Sequence, residues 1–325
     1  MRGFFPILLS MLWMVLAGNS SQASESAFGY TDHASNLIGS VTVVDARAEG
    51  ACLHYTVRGA HCLPAADFLG PHGRLASFRE IYWLLGTAGL SEQAHVLVVG
   101  DDPTERDFVA GMLYLCGQRK VSILTIPIAR GAGLEPAQMG QGTGRGMTRN
   151  PIYQGVVRED RIVLRDELAQ ALTTNHPPLL LDGRSENEYW GARIRAMRGG
   201  HLPVAQSLPM PKARQQMAKN TLQLPLRNGL VVYADDPFES VAYFTLLRAG
   251  TGAEVRVFQD GWVDWANHPA LPMDALTYPE AIRVVTPARQ PEEQTNPGEI
   301  ALILGGISLL TAFSAGFFYL GKRRS

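Results

Sequence analysis

The chain has 325 residues, 46% of them hydrophobic and 18% charged, with 33 glycines and 20 prolines. That length suits two ordinary domains, and the composition excludes a disordered or collagen-like chain. A formal charge of −1, more negative once Arg2 and Lys322-Arg323-Arg324 at the two ends are set aside, excludes the clustered cations that a nucleic-acid partner requires.

At the N-terminus Arg2 precedes an uncharged run from Phe4 to Ala17, and Ser21-Gln22-Ala23 places small residues where a signal peptidase cuts. Residues 1–23 are expected to be a signal peptide, with a short retained anchor as the alternative. The run falls below the ~20 residues that a membrane span needs. Residues 30–135 follow as a first globular segment. Cys52 and Cys62 within it can pair in an oxidising compartment or sit as two separate core residues. Cys116, after Leu113 and Leu115, reads as a buried small residue. Residues 136–150 read as a Gly-rich linker. Gly140-Gln141-Gly142-Thr143-Gly144-Arg145-Gly146 has neither the spacing of a phosphate loop nor the Lys-Ser/Thr that follows one, so no cofactor is implied.

Residues 151–275 form a second segment that echoes the first at an offset of roughly 135–140 residues. Val43-Val44-Asp45-Ala46-Arg47 is repeated as Leu180-Leu181-Asp182-Gly183-Arg184, and His61-Cys62-Leu63-Pro64 as His201-Leu202-Pro203. Val98-Val99-Gly100-Asp101-Asp102-Pro103-Thr104-Glu105 returns as Val231-Val232-Tyr233-Ala234-Asp235-Asp236-Pro237-Phe238-Glu239. Short non-alternating apolar runs, such as 179–182, 230–234 and 255–259, predict strands buried on both faces. Helical periodicity over 165–172 and 240–249 separates them. Strands alternating with helices predict a parallel sheet covered on both sides, with functional sites at the strands' carboxyl ends.

Beyond this, residues 276–299 are rich in Pro, Gln and Glu and read as an extended tether or a processing site. Ile300 to Leu320 is uncharged and, as a helix, long enough to cross a bilayer. The basic tail, residues 321–325, places the C-terminus in the cytoplasm. The globular part is then extracytoplasmic (periplasmic), hung from the inner membrane by a single span. Ala301, Gly305, Ser308, Ala312 and Gly316 form a small-residue face on which another helix can pack.

The second copy resembles rhodanese domains through four motifs in order: Leu181-Asp182-Gly183-Arg184-Ser185-Glu186-Asn187-Glu188-Tyr189, Gly199-Gly200-His201-Leu202-Pro203, Val231-Val232-Tyr233, and Asp260-Gly261-Trp262-Val263-Asp264-Trp265. The first copy is similar through Asp45-Ala46-Arg47, Gly59-Ala60-His61-Cys62-Leu63-Pro64 and Val96–Val99, with Ile128-Ala129-Arg130-Gly131-Ala132-Gly133 where the Gly-Trp motif would stand. The resemblance implies an α/β fold of two tandem rhodanese-like domains. It also implies a cysteine nucleophile directly after the strand at 231–233, since only a thiolate attacks a sulfur donor and then holds the second sulfur. Ala234 occupies that position, and Gly100 its counterpart.

Asp102-Pro103 and Asp236-Pro237 fit helix starts instead, with Asp as cap, Pro first and Glu105 or Glu239 third. The cap carboxylate would accept the N–H bonds that a sulfur anion otherwise receives, and Asp101 and Asp235 would repel such an anion. In two-domain relatives an arginine commonly precedes the aromatic residue matched by Tyr189; Glu188 stands there, as in many single-domain members. Asp45 with Arg47, and Asp182 with Arg184, are expected to brace the loops. His61 and His201 are expected to bond locally, Ser240 to be a helix residue, and Trp262 and Trp265 to pack in the core. The leading expectation is a catalytically inactive binding or scaffold module with a protein partner at the membrane or in the extracytoplasmic space. The alternatives are sulfur or redox chemistry through Cys52, Cys62 or Cys116, and divalent-cation binding by the acidic loops.

Overall fold

The computed structural model describes residues 27–224 and 229–275. The expected signal peptide, tether, membrane span with its small-residue face, and basic tail lie outside these residues. In chain order the described strands are β1 (Phe28–Thr31), β2 (Thr42–Asp45), β3 (Thr56–Val57), β4 (His61–Cys62), β5 (His95–Val99), β6 (Lys120–Leu124), β7 (Met139–Gly140), β8 (Ile162–Val163), β9 (Leu180–Asp182), β10 (Ala205–Ser207), β11 (Leu230–Tyr233) and β12 (Val255–Phe258). The α-helices are α1 (Glu49–His54), α2 (Phe78–Thr87), α3 (Pro103–Leu115), α4 (Arg165–Leu172), α5 (Glu186–Tyr189), α6 (Met210–Ala218), α7 (Pro237–Thr251) and α8 (Gly261–Ala266).

One sheet has the order β1-β6-β5-β2-β4 and the other β8-β12-β11-β9-β10. Every pairing within both is parallel. Aligned by chain order, the two sheets have the same topology, so the repeat in sequence is also a repeat of connectivity. The central strands explain it: Val96–Val99 and Leu230–Tyr233 are buried without alternation, as sheets covered on both faces require.

The halves are not independent bodies, for the largest buried cluster draws side chains from both. Its axis is the packing of α3 on α7, the helices that follow the equivalent strands β5 and β11. Both helices are buried over most of their length, so neither keeps a broad polar face. Gly111 sets how closely they approach: a Cβ there would lie 2.2 Å from Thr245 Oγ1 and 2.7 Å from Val241 Cγ1. Phe108 meets Phe238 at 5.0 Å between ring centroids, and Tyr114 meets Phe244 at 6.1 Å. A buried charge crosses the same boundary. Asp107 receives the Tyr30 hydroxyl at 2.8 Å and pairs with Arg106 at 3.2 Å and with Arg214 of α6 at 2.7 Å.

The stretch expected to be a free linker is partly an edge of the first half. β7 pairs antiparallel with β3, Thr143 N–H donates to Ala60 O, and Cys62 N–H donates to Thr143 O. Cys52 and Cys62 form a disulfide with Cα atoms 5.7 Å apart. Gly142 lies directly on it: a Cβ would fall 2.6 Å from Cys52 Sγ and 2.8 Å from Cys62 Sγ. Part of the glycine content of the segment thus answers to close approach to the disulfide. Cys116 ends α3 and is fully buried.

Candidate functional site

Each half places its site at the carboxyl end of its central strand. In the second, β11 ends at Tyr233 and Ala234 turns the chain towards α7, its N–H donating to the Ser240 Oγ at 3.0 Å. Ala234 is buried, and its carbonyl receives the Trp262 N–H at 2.9 Å. Asp236 caps α7 by accepting the Glu239 N–H at 2.8 Å, with Pro237 as the first helical residue. In the first half Asp102 caps α3, accepting the N–H groups of Thr104 at 2.7 Å and Glu105 at 2.9 Å. In these turns the N–H groups of Thr104, Glu105, Ala234 and Glu239 are thus engaged by side chains of the same segments.

The bracing pairs are matched in geometry. Arg184 donates to the Asp182 carboxylate through its backbone N–H, Nε and Nη2, and its Nη2 also reaches Gly200 O at 2.7 Å. Its guanidinium lies 4.6 Å from the Trp262 ring centroid. Arg47 makes the same contacts to Asp45, then adds Tyr55 O at 2.6 Å and Asp101 Oδ2 at 3.0 Å. The Asp101 Oδ1 accepts the Ala129 N–H at 2.8 Å, which fixes the 128–133 loop. His201 stacks on Tyr189 at 3.7 Å and pairs with its carbonyl, and the Trp262 and Trp265 indoles donate to Arg198 O and Pro272 O. Burial lowers the His61 pKa, its ring bonding to the Ala88 backbone.

The residue that organises the second site was absent from the sequence reading. Arg195, on the loop after α5, makes a bidentate bond to Glu239 at 2.8 and 2.7 Å, an ion pair with Glu188 at 2.5 Å and a longer one with Asp235 at 3.4 Å. One guanidinium thus holds three carboxylates where the rhodanese resemblance would place the nucleophile loop. Asp235 is only 6% exposed, and burial pushes its carboxyl up to about 6 against the opposing pull of Arg195. Burial raises Asp236 and Glu105 as well. Nothing in the sequence singles out Arg195 from its neighbours Arg193 and Arg198, because its partners come from α5 and the 235–239 turn.

Asp235 and Asp236 also border a cleft of about 1040 Å³ between the two halves. The first half lines it with residues 72–78, and the second with the start of α4 and the 259–268 segment. Among its charged groups, Arg165 is held by Asp166, Asp264 and His268, while Asp260 is raised by burial and favoured as an anion by Arg74 and Arg165. Carboxylates outnumber cations on its walls, a poor seat for a small anion. Of the acidic loops' carboxylates, Asp101, Asp102, Asp235, Asp236 and Glu239 are engaged as caps or by arginines, and among the described residues no group of His, Cys, Asp and Glu is placed to hold a metal ion.

The thiols are equally constrained. Cys52 and Cys62 are bonded to each other, and burial pushes the Cys116 thiol far above the range in which it ionises.

Parallel sheets flanked by helices, with the candidate site in the turns after the central strands, define an α/β fold, consistent with that of rhodanese-like domains. Residues 164–268 match the model of the rhodanese-like domain family. A curated relative is SseA of Mycobacterium bovis, a protein assigned as a thiosulfate sulfurtransferase. It is 27% identical over 154 residues, which cover 41% of this chain and 50% of SseA. The chain therefore spans about half the length of that relative. Among solved structures, wild-type EanB is similar at a TM-score of 0.58 and 18% identity, covering 72% of this chain and 63% of EanB. An EanB variant in complex with ergothioneine covalently linked to a persulfide cysteine is similar at 0.60 and 16% identity, covering 73% and 64%. At these identities the likeness concerns fold.

Proposed function

We propose that the chain is a membrane-anchored, extracytoplasmic pair of rhodanese-like domains that has lost sulfur transfer and acts by binding a protein partner. One observation carries the reading: the turns where the resemblance places a nucleophile hold Ala234 and Gly100, and none of the chain's three cysteines offers an accessible thiol. The matched topology of the two sheets supports the tandem arrangement. The disulfide supports an oxidising compartment, as does an uncharged Ile300–Leu320 followed by Lys322-Arg323-Arg324.

The kinship with SseA favours a second reading, a working sulfurtransferase or thiol-redox protein. That chemistry needs a thiolate that can meet a donor, and here it would require opening the disulfide or unpacking α3. The test is a sulfur-transfer assay on the full chain in detergent, with thiosulfate or mercaptopyruvate as donor and cyanide or a dithiol as acceptor. The expected result is no turnover above buffer. Turnover that disappears on Cys116→Ala or Cys52→Ala would replace this reading with the second.

A further inference from the structure

The loop from Trp190 to Gly200 has no helix or strand of its own, yet two arginines hold it tightly. Arg195 binds the carboxylates of Glu188, Asp235 and Glu239. Arg198 donates to four carbonyls at the end of α8 and beyond: Ala266 at 3.1 Å, Trp265 at 3.1 Å, His268 at 3.0 Å and Leu271 at 3.0 Å. Besides Arg193 and Arg195, this frame presents several large apolar side chains outward. Trp190 is 40% exposed, Ile194 60%, Met197 78% and, just after the loop, Val204 54%. Large side chains held rigidly in solvent are set for contact at little further ordering cost.

The position of this surface identifies what it meets. His201 and Asp274 exchange backbone hydrogen bonds at 2.8 and 3.0 Å, and Val204 N–H reaches the Asp274 carboxylate at 3.4 Å. Gly200 packs so closely on Asp274 O and Ala275 Cβ that a Cβ there would lie 2.5 and 3.1 Å away. The chain therefore leaves the described structure at Ala275 from within the apolar surface, beside Met273, which is 38% exposed. Residues 276–299 can reach no further than roughly 80 Å even fully extended, before the uncharged stretch from Ile300 begins.

We propose that Trp190, Ile194, Met197, Val204 and Met273 form a docking surface for the lipid bilayer itself, seated at the boundary between headgroups and acyl chains. The inference rests on the membrane anchor proposed above, which would confine the surface near the bilayer at an effective concentration of order millimolar. Trp and aliphatic side chains on one patch suit that boundary. Arg193, Glu186 and Asp274 are exposed in the same segments and sum to −1, so attraction to anionic headgroups does not drive contact and apolar insertion dominates. Docking is therefore insensitive to salt.

The test uses the full chain reconstituted in nanodiscs of phosphatidylcholine and phosphatidylglycerol, with and without lipids brominated high on the acyl chain. The Trp190 signal is the difference between the parent and Trp190→Phe. The expected result is quenching of that signal by about half, unchanged between low and high salt, and abolished in Ile194→Glu with Met197→Glu, whose exposed positions leave the melting temperature intact. An unquenched Trp190 in a chain that co-purifies with the discs overturns the docking surface and leaves the anchor standing. If two chains per disc cross-link through this loop without quenching, the patch joins copies of the chain and the proposal fails. A chain that does not enter discs at all overturns the anchor, and the docking surface with it.

Discussion

At the level of single residues, the second site is defined by Ala234, where the rhodanese resemblance would place a nucleophile, and by the charged groups around it. Ala234 is buried, its N–H is taken by Ser240, and three carboxylates share Arg195 a few residues away. On the proposed reading, a thiol at this position is not by itself expected to confer sulfur transfer. Ala234→Cys is expected to remain silent with thiosulfate, because its thiolate would form beside Asp235 with the N–H groups of residues 234 and 239 already engaged; rapid cyanide-dependent turnover by this variant would contradict the closed-site argument. Asp235 itself gives a pH signature. Burial raises its folded-state value to about 6, above the ~3.9 of an unfolded aspartate, so the folded protein holds this proton more tightly. Its contribution to stability is fully present below about pH 4 and is lost as pH rises through about 6. Asp235→Asn, which stays neutral, should match the parent's melting temperature near pH 4 and exceed it by a few degrees near pH 8. A difference that grows towards acid would reverse the sign and refute the assignment.

At the level of elements, much of the second half could be read directly, because its motifs are local. The strands at β9, β11 and β12, the helix at 165–172 and the Asp-Pro helix starts all follow from residues adjacent in sequence. Asp236→Ala is expected to lower stability by about 0.5–2 kcal/mol in urea unfolding, as loss of an N-cap does. What stayed hidden joins distant segments. Arg195 is meaningful only once α5 and the 235–239 turn meet, and the linker's glycines only once Gly142 lies on the disulfide. Gly111 belongs to the same kind, since its partner Thr245 is far along the chain. A methyl group there must push α3 from α7. Gly111→Ala should therefore cost about 1–3 kcal/mol. Adding Thr245→Ala should recover part of the loss, because it removes the nearest clashing atom. Additive effects in that pair would show that the helices do not meet at this crossing.

For the whole molecule, the disulfide connects stability with the redox compartment in which the chain folds. Cys52 and Cys62 are buried beneath Gly142, so the bond ties α1, β4 and the 139–143 edge into one corner of the first half. With a sequence separation of 10, the chain-entropy account gives roughly 2–3 kcal/mol of stabilisation through the unfolded state. Replacing both cysteines by alanine should lower the melting temperature by about 5–10 °C, at about 2–4 °C for each kcal/mol in a body of this size. Because α3 and α7 share one buried cluster, the loss should appear as a single lowered transition of both halves rather than early melting of the first. The same bond reports topology. Burial protects it from reductant until the fold opens, so its state in protein taken from native membranes records the compartment in which the chain matured. Alkylation under denaturing, non-reducing conditions should label Cys116 alone. Labelling of all three cysteines would place the globular part in a reducing compartment and overturn the orientation proposed from Lys322-Arg323-Arg324.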